Sequence, residues 1–180
     1  MEEPPVLGYD AENSGDDYVG YDISCNGVDD GSINITPYGG AGEYIYEWTY
    51  PDGSINNEGG YIDGLSPGDY SLTITDGNGC QEFYEYTIEE PLVLEVSGYP
   101  SNYNNNNFEI ECNGFNNGYI DIEVSGGSEP YDYEWIYPDG SIMSEGDIFD
   151  LSPGDYSLTV TDANGCPDFY DYTIKEDTAI

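Results

Sequence analysis

LSPGDYSLTITDGNGC, residues 65–80, returns as LSPGDYSLTVTDANGC at residues 151–166, with two substitutions in sixteen positions. Ser-Pro-Gly-Asp is a turn signal, because Pro presets φ and Gly takes backbone conformations that other residues avoid. In the next six residues Tyr70, Leu72 and Ile74 alternate with Ser71, Thr73 and Thr75. That period of two marks a strand with one buried face. Asp76, Gly77, Asn78 and Gly79 then turn the chain into a second strand over residues 81–88. The unit is a β-hairpin with a cysteine at its tip.

The duplication extends outward from this hairpin. Cys25, Trp48 and YPDGSI at 50–55 recur 87 residues later as Cys112, Trp135 and YPDGSI at 137–142, and EEP at 2–4 recurs at 89–91. After Ile142 the offset falls to 86. The 180 residues therefore predict two domains, 1–88 and 89–180. Each is large enough for a modest core that a covalent staple would help.

Within each repeat, PPVLGY at 4–9 and PLVLEV at 91–96 read as short opening strands. Residues 10–17 and 97–107 read as loops, the second carrying four consecutive asparagines at 104–107. Residues 18–25 and 108–112 are expected to be strands leading into the first cysteines. Ile33 and Ile35, and Ile120, Ile122 and Val124, alternate with polar neighbours and point inward. Tyr44, Tyr46 and Trp48 share one face of a strand, as do Tyr131, Tyr133 and Trp135. Short strands at 61–63 and 147–150 precede the hairpins. About seven strands per unit, with frequent turns and no helical period, predict an all-β fold of two tandem immunoglobulin-like β-sandwich domains. Trp48 and Trp135 read as core plugs.

Thirty-eight acidic residues face a single cation, Lys175, with no histidine, for a net charge of −37. Phosphate contacts need cations, so nucleic-acid binding and attachment to an anionic membrane are excluded as functions. No apolar run is long enough to span a bilayer, and no basic segment precedes an apolar one as in a secretory leader. The paired cysteines and the abundance of Tyr, Asn and Gly suit a mature or excised region of a secreted protein. Acid–base and nucleophilic schemes lack a histidine or arginine partner. Carboxylate pairs of the glycosidase kind arise by chance among so many acids, so no enzyme is expected.

The cysteines lie 55 residues apart in the first repeat and 54 in the second. No close cysteine pair or histidine suggests zinc, and no base would activate a thiol. The expected arrangement is one intradomain disulfide per repeat, Cys25 with Cys80 and Cys112 with Cys166, each contributing about 4 kcal/mol by loop closure. Crossed pairing between repeats is the alternative, and it would break the duplication. Asp29 and Asp30, Asp76 and Asn78, and Asp162 and Asn164 place oxygen ligands in turns, where they serve calcium or simply form the turns. Asn34, Ile35 and Thr36 match an N-glycosylation sequon. Twenty tyrosines exceed what two small cores need, so some are expected at the surface for glycan or protein contacts.

CNG at 25–27 and 112–114, the pattern GGxxxYxYxW from Gly39, LSPGDY, and TVTDANGC at 159–166 together resemble the SprB-type adhesin repeat of large Bacteroidetes cell-surface proteins. That repeat is itself similar to PKD and other immunoglobulin-like sandwiches. The resemblance is best over 108–174 and nearly as good over 19–88. It implies an extracellular structural or adhesive module, in an array or a surface filament. It also makes Thr178, in Asp-Thr-Ala, a candidate for O-glycosylation. A discrete lectin-like protein, gripping glycans with or without calcium, is the alternative. Residues 1–7 copy the junction at 89–94, and residues 174–180 align with 88–94. Equivalent ends predict head-to-tail self-association, with the opening strand carrying Val6, Leu7 and Tyr9 added to a neighbour's sheet edge.

Overall fold

The structure, a computed structural model, describes residues 5–16, 18–102 and 109–176. The chain divides into two compact units, Met1–Pro91 and Leu92–Ile180. The first contains β1 (Gly8–Asn13), β2 (Gly31–Tyr38), β3 (Ile45–Thr49), β4 (Ile55–Asn56), β5 (Tyr61–Leu65), β6 (Gly68–Thr75) and β7 (Gln81–Ile88). The second contains β8 (Glu95–Pro100), β9 (Gly118–Ser125), β10 (Asp132–Ile136), β11 (Ile142–Met143), β12 (Ile148–Leu151), β13 (Gly154–Thr161) and β14 (Pro167–Ile174). In each unit a three-stranded antiparallel sheet packs on a four-stranded one, β1-β2-β5 on β4-β3-β6-β7 and β8-β9-β12 on β11-β10-β13-β14. These are two immunoglobulin-like sandwiches.

The alternation in the repeated hairpin becomes the core. Tyr70, Leu72 and Ile74 of β6 are buried against Ile33 and Ile35 of β2, while Ser71, Thr73 and Thr75 face outward. Trp48 and Trp135 are wholly buried. A buried indole N–H needs an acceptor, and each finds one in a loop carbonyl, Gly59 O at 2.8 Å and Gly146 O at 3.0 Å. Tyr84 packs edge-on to both Trp48 and Tyr9, closing the side of the sandwich where β1 and β7 come together.

Two local expectations are corrected. The opening strands begin later than predicted. β1 starts at Gly8 and runs through residues assigned to a loop, and β8 continues to Pro100 in the same way. β1 buries little, but it is an edge strand held by its ladder to β2, from Gly8↔Tyr38 to Asn13↔Ile33. Edge pairing leaves no hydrophobic alternation to read. Residues 18–25 and 109–112 are bends rather than strands. Side chains meet the Asp22 carbonyl and the Ser24 N–H, and the Asp22 N–H donates to Glu89 O at 3.0 Å. Residues 103–108, including the four asparagines, lie outside the described residues.

The predicted disulfides are also corrected. Cys25 and Cys166 are the disulfide-bonded cysteines, a single disulfide rather than one per domain. Cys80 and Cys112 are free thiols, both exposed. The reason lies in each hairpin. β7 carries the chain from Cys80 along the length of the sandwich to Ile88, eight residues. At about 3.4 Å per residue that is roughly 27 Å, whereas a disulfide needs Cα atoms within about 7 Å. β14 separates Cys166 from Cys112 in the same manner.

Candidate functional site at the ends of each repeat

Each sandwich has a leading end, where the chain comes in, and a trailing end, where it leaves. Chemistry-bearing residues concentrate at these two ends.

At the leading end the hairpin tip is organised by one carboxylate. Asp76 is buried, and its Oδ1 accepts the N–H groups of Asn78 and Cys80 at 2.9 and 2.8 Å. Its Oδ2 accepts the Ala41 N–H at 3.0 Å. These donors, the Cys80 N–H foremost, outweigh burial and hold the Asp76 carboxyl below its ordinary range. Asp162 repeats the arrangement, with Asn164, Cys166 and Ser128 donating at 2.9 Å each. The loop so fixed rests on the incoming chain. Gly40 N–H donates to Pro5 O, and Gly127 N–H to Leu92 O, both at 2.9 Å. Gly39 lies so close to this segment, at φ 72°, that a Cβ there would meet Val6 O at 2.0 Å. Only glycine fits at that crossing.

At the trailing end a second buried carboxylate works. Asp22 accepts the Tyr86 hydroxyl at 2.6 Å on Oδ1 and the Glu89 N–H at 2.9 Å on Oδ2. Glu109 accepts the Tyr172 hydroxyl at 2.7 Å and the Lys175 N–H at 2.8 Å. Ser14 and Ser101 complete the lock. Each hydroxyl donates to the carbonyl of that acid and accepts a backbone N–H, from Ser32 and Tyr119 respectively. The Cys-Asn-Gly turns are fastened to the departing chain. Asn26 donates to Pro91 O at 2.9 Å, and Gly27 N–H to Glu90 at 2.7 Å. Gly114 N–H donates to Glu176 at 2.8 Å.

The turn acids proposed for calcium are thus distributed between the two ends. Asp30 accepts Ser24 and Tyr18. Burial alone would raise its carboxyl, but those donors prevail and lower it. Asp29 is exposed. Among the described residues no three acidic, cysteine or histidine side chains converge into a metal cage. Asn34 sits in mid-β2, half-buried, and donates to Glu12 at 3.4 Å. Thr178 lies outside the described residues. Of the assembly residues, Leu7 is buried, and Tyr9 packs on Tyr84 and donates to Phe83 O, so only Val6 is exposed.

The sequence reading missed Ser14, Asp22 and Tyr86 with their partners Ser101, Glu109 and Tyr172. Its available signal was the offset: serine answers serine, acid answers acid and tyrosine answers tyrosine across the two repeats.

The SprB repeat family matches the chain twice, over residues 21–53 and 109–142. Each match runs from the buried acid through the Cys-Asn-Gly turn to the Pro-Asp-Gly turn after the core tryptophan. No curated protein matches the chain. Among solved structures, the amphioxus IgVJ-C2 molecule is similar at 14% identity and TM-score 0.37, over 96% of this chain and 98% of that one. The C-terminal 282-residue fragment of intimin, in complex with the intimin-binding domain of its translocated receptor, is similar at 15% identity and TM-score 0.46. That match covers 96% of this chain and 64% of the fragment. A tetra-tandem repeat from the extending region of a large adhesion protein matches at 14% identity and TM-score 0.28, over 93% and 50%. No helix among the described residues is long and apolar enough to cross a membrane.

Proposed function

We propose that this chain is an extracellular structural and adhesive module that assembles head to tail, as the subunit of a surface filament. The observation that carries the reading is the chemical equivalence of its joints. Glu90 fastens the Cys25 turn to the departing chain, and Glu176 fastens the Cys112 turn identically. The leading segments at Pro5 and Leu92 are gripped by the same glycine loops. A surface that meets its like in this polar order propagates as an open fibre when the rotation does not close. Strand exchange by residues 6–9 is a poor vehicle, because Leu7 and Tyr9 belong to their own core. Contact between leading and trailing ends supplies the joint instead. Negative-stain imaging of concentrated protein tests this: filaments with a subunit repeat are expected, and monodisperse particles at every concentration would remove the filament.

Glycan binding is the second reading, favoured by one repeated feature. An open depression on the four-stranded sheet is lined by Asp69, Tyr70, Ser71, Glu85, Tyr86 and Thr87. Its counterpart is lined by Asp155, Tyr156, Ser157, Asp171, Tyr172 and Thr173. The half-buried rings of Tyr86 and Tyr172, beside carboxylates and hydroxyls, suit a sugar. Glycan-array binding by monomeric protein, lost in Asp69→Ala with Asp155→Ala, would establish it.

A further inference from the structure

The two repeats share a framework and part company on one face. In the second repeat the solvent side of the sheet β8-β9-β12 carries Tyr99 on β8, Tyr119 on β9 and Phe149 on β12. Ile120, Ile122 and Val124 of β9 turn the other way, toward the core. At the offset that relates the repeats, the same three places in the first are held by Glu12, Ser32 and Asp63. The ladders bear out the equivalence. Tyr99 lies opposite Asp121 as Glu12 lies opposite Asn34. Ser32 lies opposite Asp63, and the rings of Tyr119 and Phe149 stand 6.3 Å apart. One framework accommodates either set, so the fold does not require the aromatic one.

The aromatic set is a surface. Tyr99 is 56% exposed, Phe149 60%, and Tyr119 is half-buried. Carboxylates border it. Asp121 faces Tyr99 across the ladder and shares a strand face with Tyr119. Glu123 accepts the Tyr99 hydroxyl at 3.1 Å, which holds that ring in place. Asp150 follows Phe149 at φ 56°, where the first repeat has Gly64 at φ 64°. Glycine takes that conformation freely, and aspartate takes it at a cost. No basic side chain belongs to this sheet, since the chain's only one, Lys175, follows β14.

We propose that this face docks an arginine-bearing segment of a partner protein. Its guanidinium groups stack on Tyr99, Tyr119 and Phe149 and pair with Asp121 and Glu123. A planar guanidinium offers both contacts at once, a flat face for a ring and a fork for a carboxylate. Exposed aromatic rings are the side chains that anchor protein interfaces. The net charge of −37 draws a basic partner from a distance and repels an acidic one. A neutral glycan would use the rings but gain nothing from that charge. The surface lies within one repeat, so the proposal stands apart from head-to-tail assembly.

The test uses the full chain and the triple variant Tyr99→Glu, Tyr119→Ser, Phe149→Asp. Binding of a fluorescent hexa-arginine peptide is followed by anisotropy in about 0.15 M salt. The substitutions are the residues that the first repeat already carries, and circular dichroism with thermal melting checks the fold. They also add two carboxylates. Charge alone would therefore tighten binding, whereas the proposal expects it to weaken about tenfold or more. Hexa-lysine should bind the native chain more weakly than hexa-arginine, for want of a planar face. The native chain gives a second readout that needs no variant. On peptide titration the ring resonances of Tyr99, Tyr119 and Phe149 should shift. Those of Phe83 and Phe169, each 65% exposed on the four-stranded sheets, should stay. A folded variant that binds as tightly as the native chain, shifts spread evenly over all exposed rings, or no binding at all would each overturn the proposal. A neutral cello-oligosaccharide that moves the three rings while the peptide does not would overturn it in favour of a glycan.

Discussion

The Tyr86 hydroxyl donates to Asp22 Oδ1 at 2.6 Å, joining the last strand of the first sandwich to a segment 64 residues earlier that has no ladder of its own. Tyr172 and Glu109 do the same in the second. Removing the hydroxyl leaves a buried carboxylate short of a donor, which costs about 1–3 kcal/mol. Tyr86→Phe should therefore destabilise by that order in urea denaturation, with an unchanged slope. A midpoint equal to that of the native chain would mean that the pair contributes nothing.

The same tyrosines set a response to alkali. Burial first, then the hydrogen bond to Glu109, pushes the Tyr172 phenol from 10.0 up to about 12. Burial and Asp22 raise Tyr86 in the same direction. A raised pKa favours the folded state while the phenol is protonated. That stability is complete below pH 10 and is lost as pH rises toward 12. Melting temperature should fall across this window, and the double variant Tyr86→Phe with Tyr172→Phe should flatten the fall. A window unchanged in the variant would assign the loss elsewhere.

Asp76 tests the bland reading of the turn acids against calcium. Its oxygens already accept three backbone N–H groups. Asp76→Ala should lower the melting midpoint by several degrees, equally in excess calcium and in excess chelator. A midpoint that rises with calcium in the native chain, and no longer does so in the variant, would make Asp76 a ligand.

Salt should stabilise the molecule. A net charge of −37 with one cation repels itself in the folded state. The screening length shrinks from about 30 Å at 0.01 M salt to about 3 Å at 1 M. Thermal midpoints should climb steadily with sodium chloride. A flat series would show that the folded chain carries its charge without strain.

The hairpin, the tryptophans and the two-sandwich plan were legible because a half-buried strand writes its burial as a period of two. Tyr70, Leu72 and Ile74 needed no other information. β1 was not legible, since an edge strand is defined by the partner across the ladder, and its own residues, Ala11 and Glu12 among them, stay exposed. Nor was the disulfide pattern. Cysteines 55 residues apart look like neighbours until the strand between Cys80 and Ile88 is known to run the length of the fold. The Asp22 and Glu109 locks were visible only as a coincidence of residue type across the offset, among many such coincidences.

The paths of β1 and β7 decide how a repeat would behave as a tether. β1 starts at the leading end and β7 finishes at the trailing end, each lying antiparallel to an inner neighbour. Traction on the two ends therefore draws β1 lengthwise along β2 and β7 lengthwise along β6. The rungs of each ladder resist together, as in a lap joint, instead of peeling in sequence. Such a link holds its length under moderate load and gives way abruptly above it.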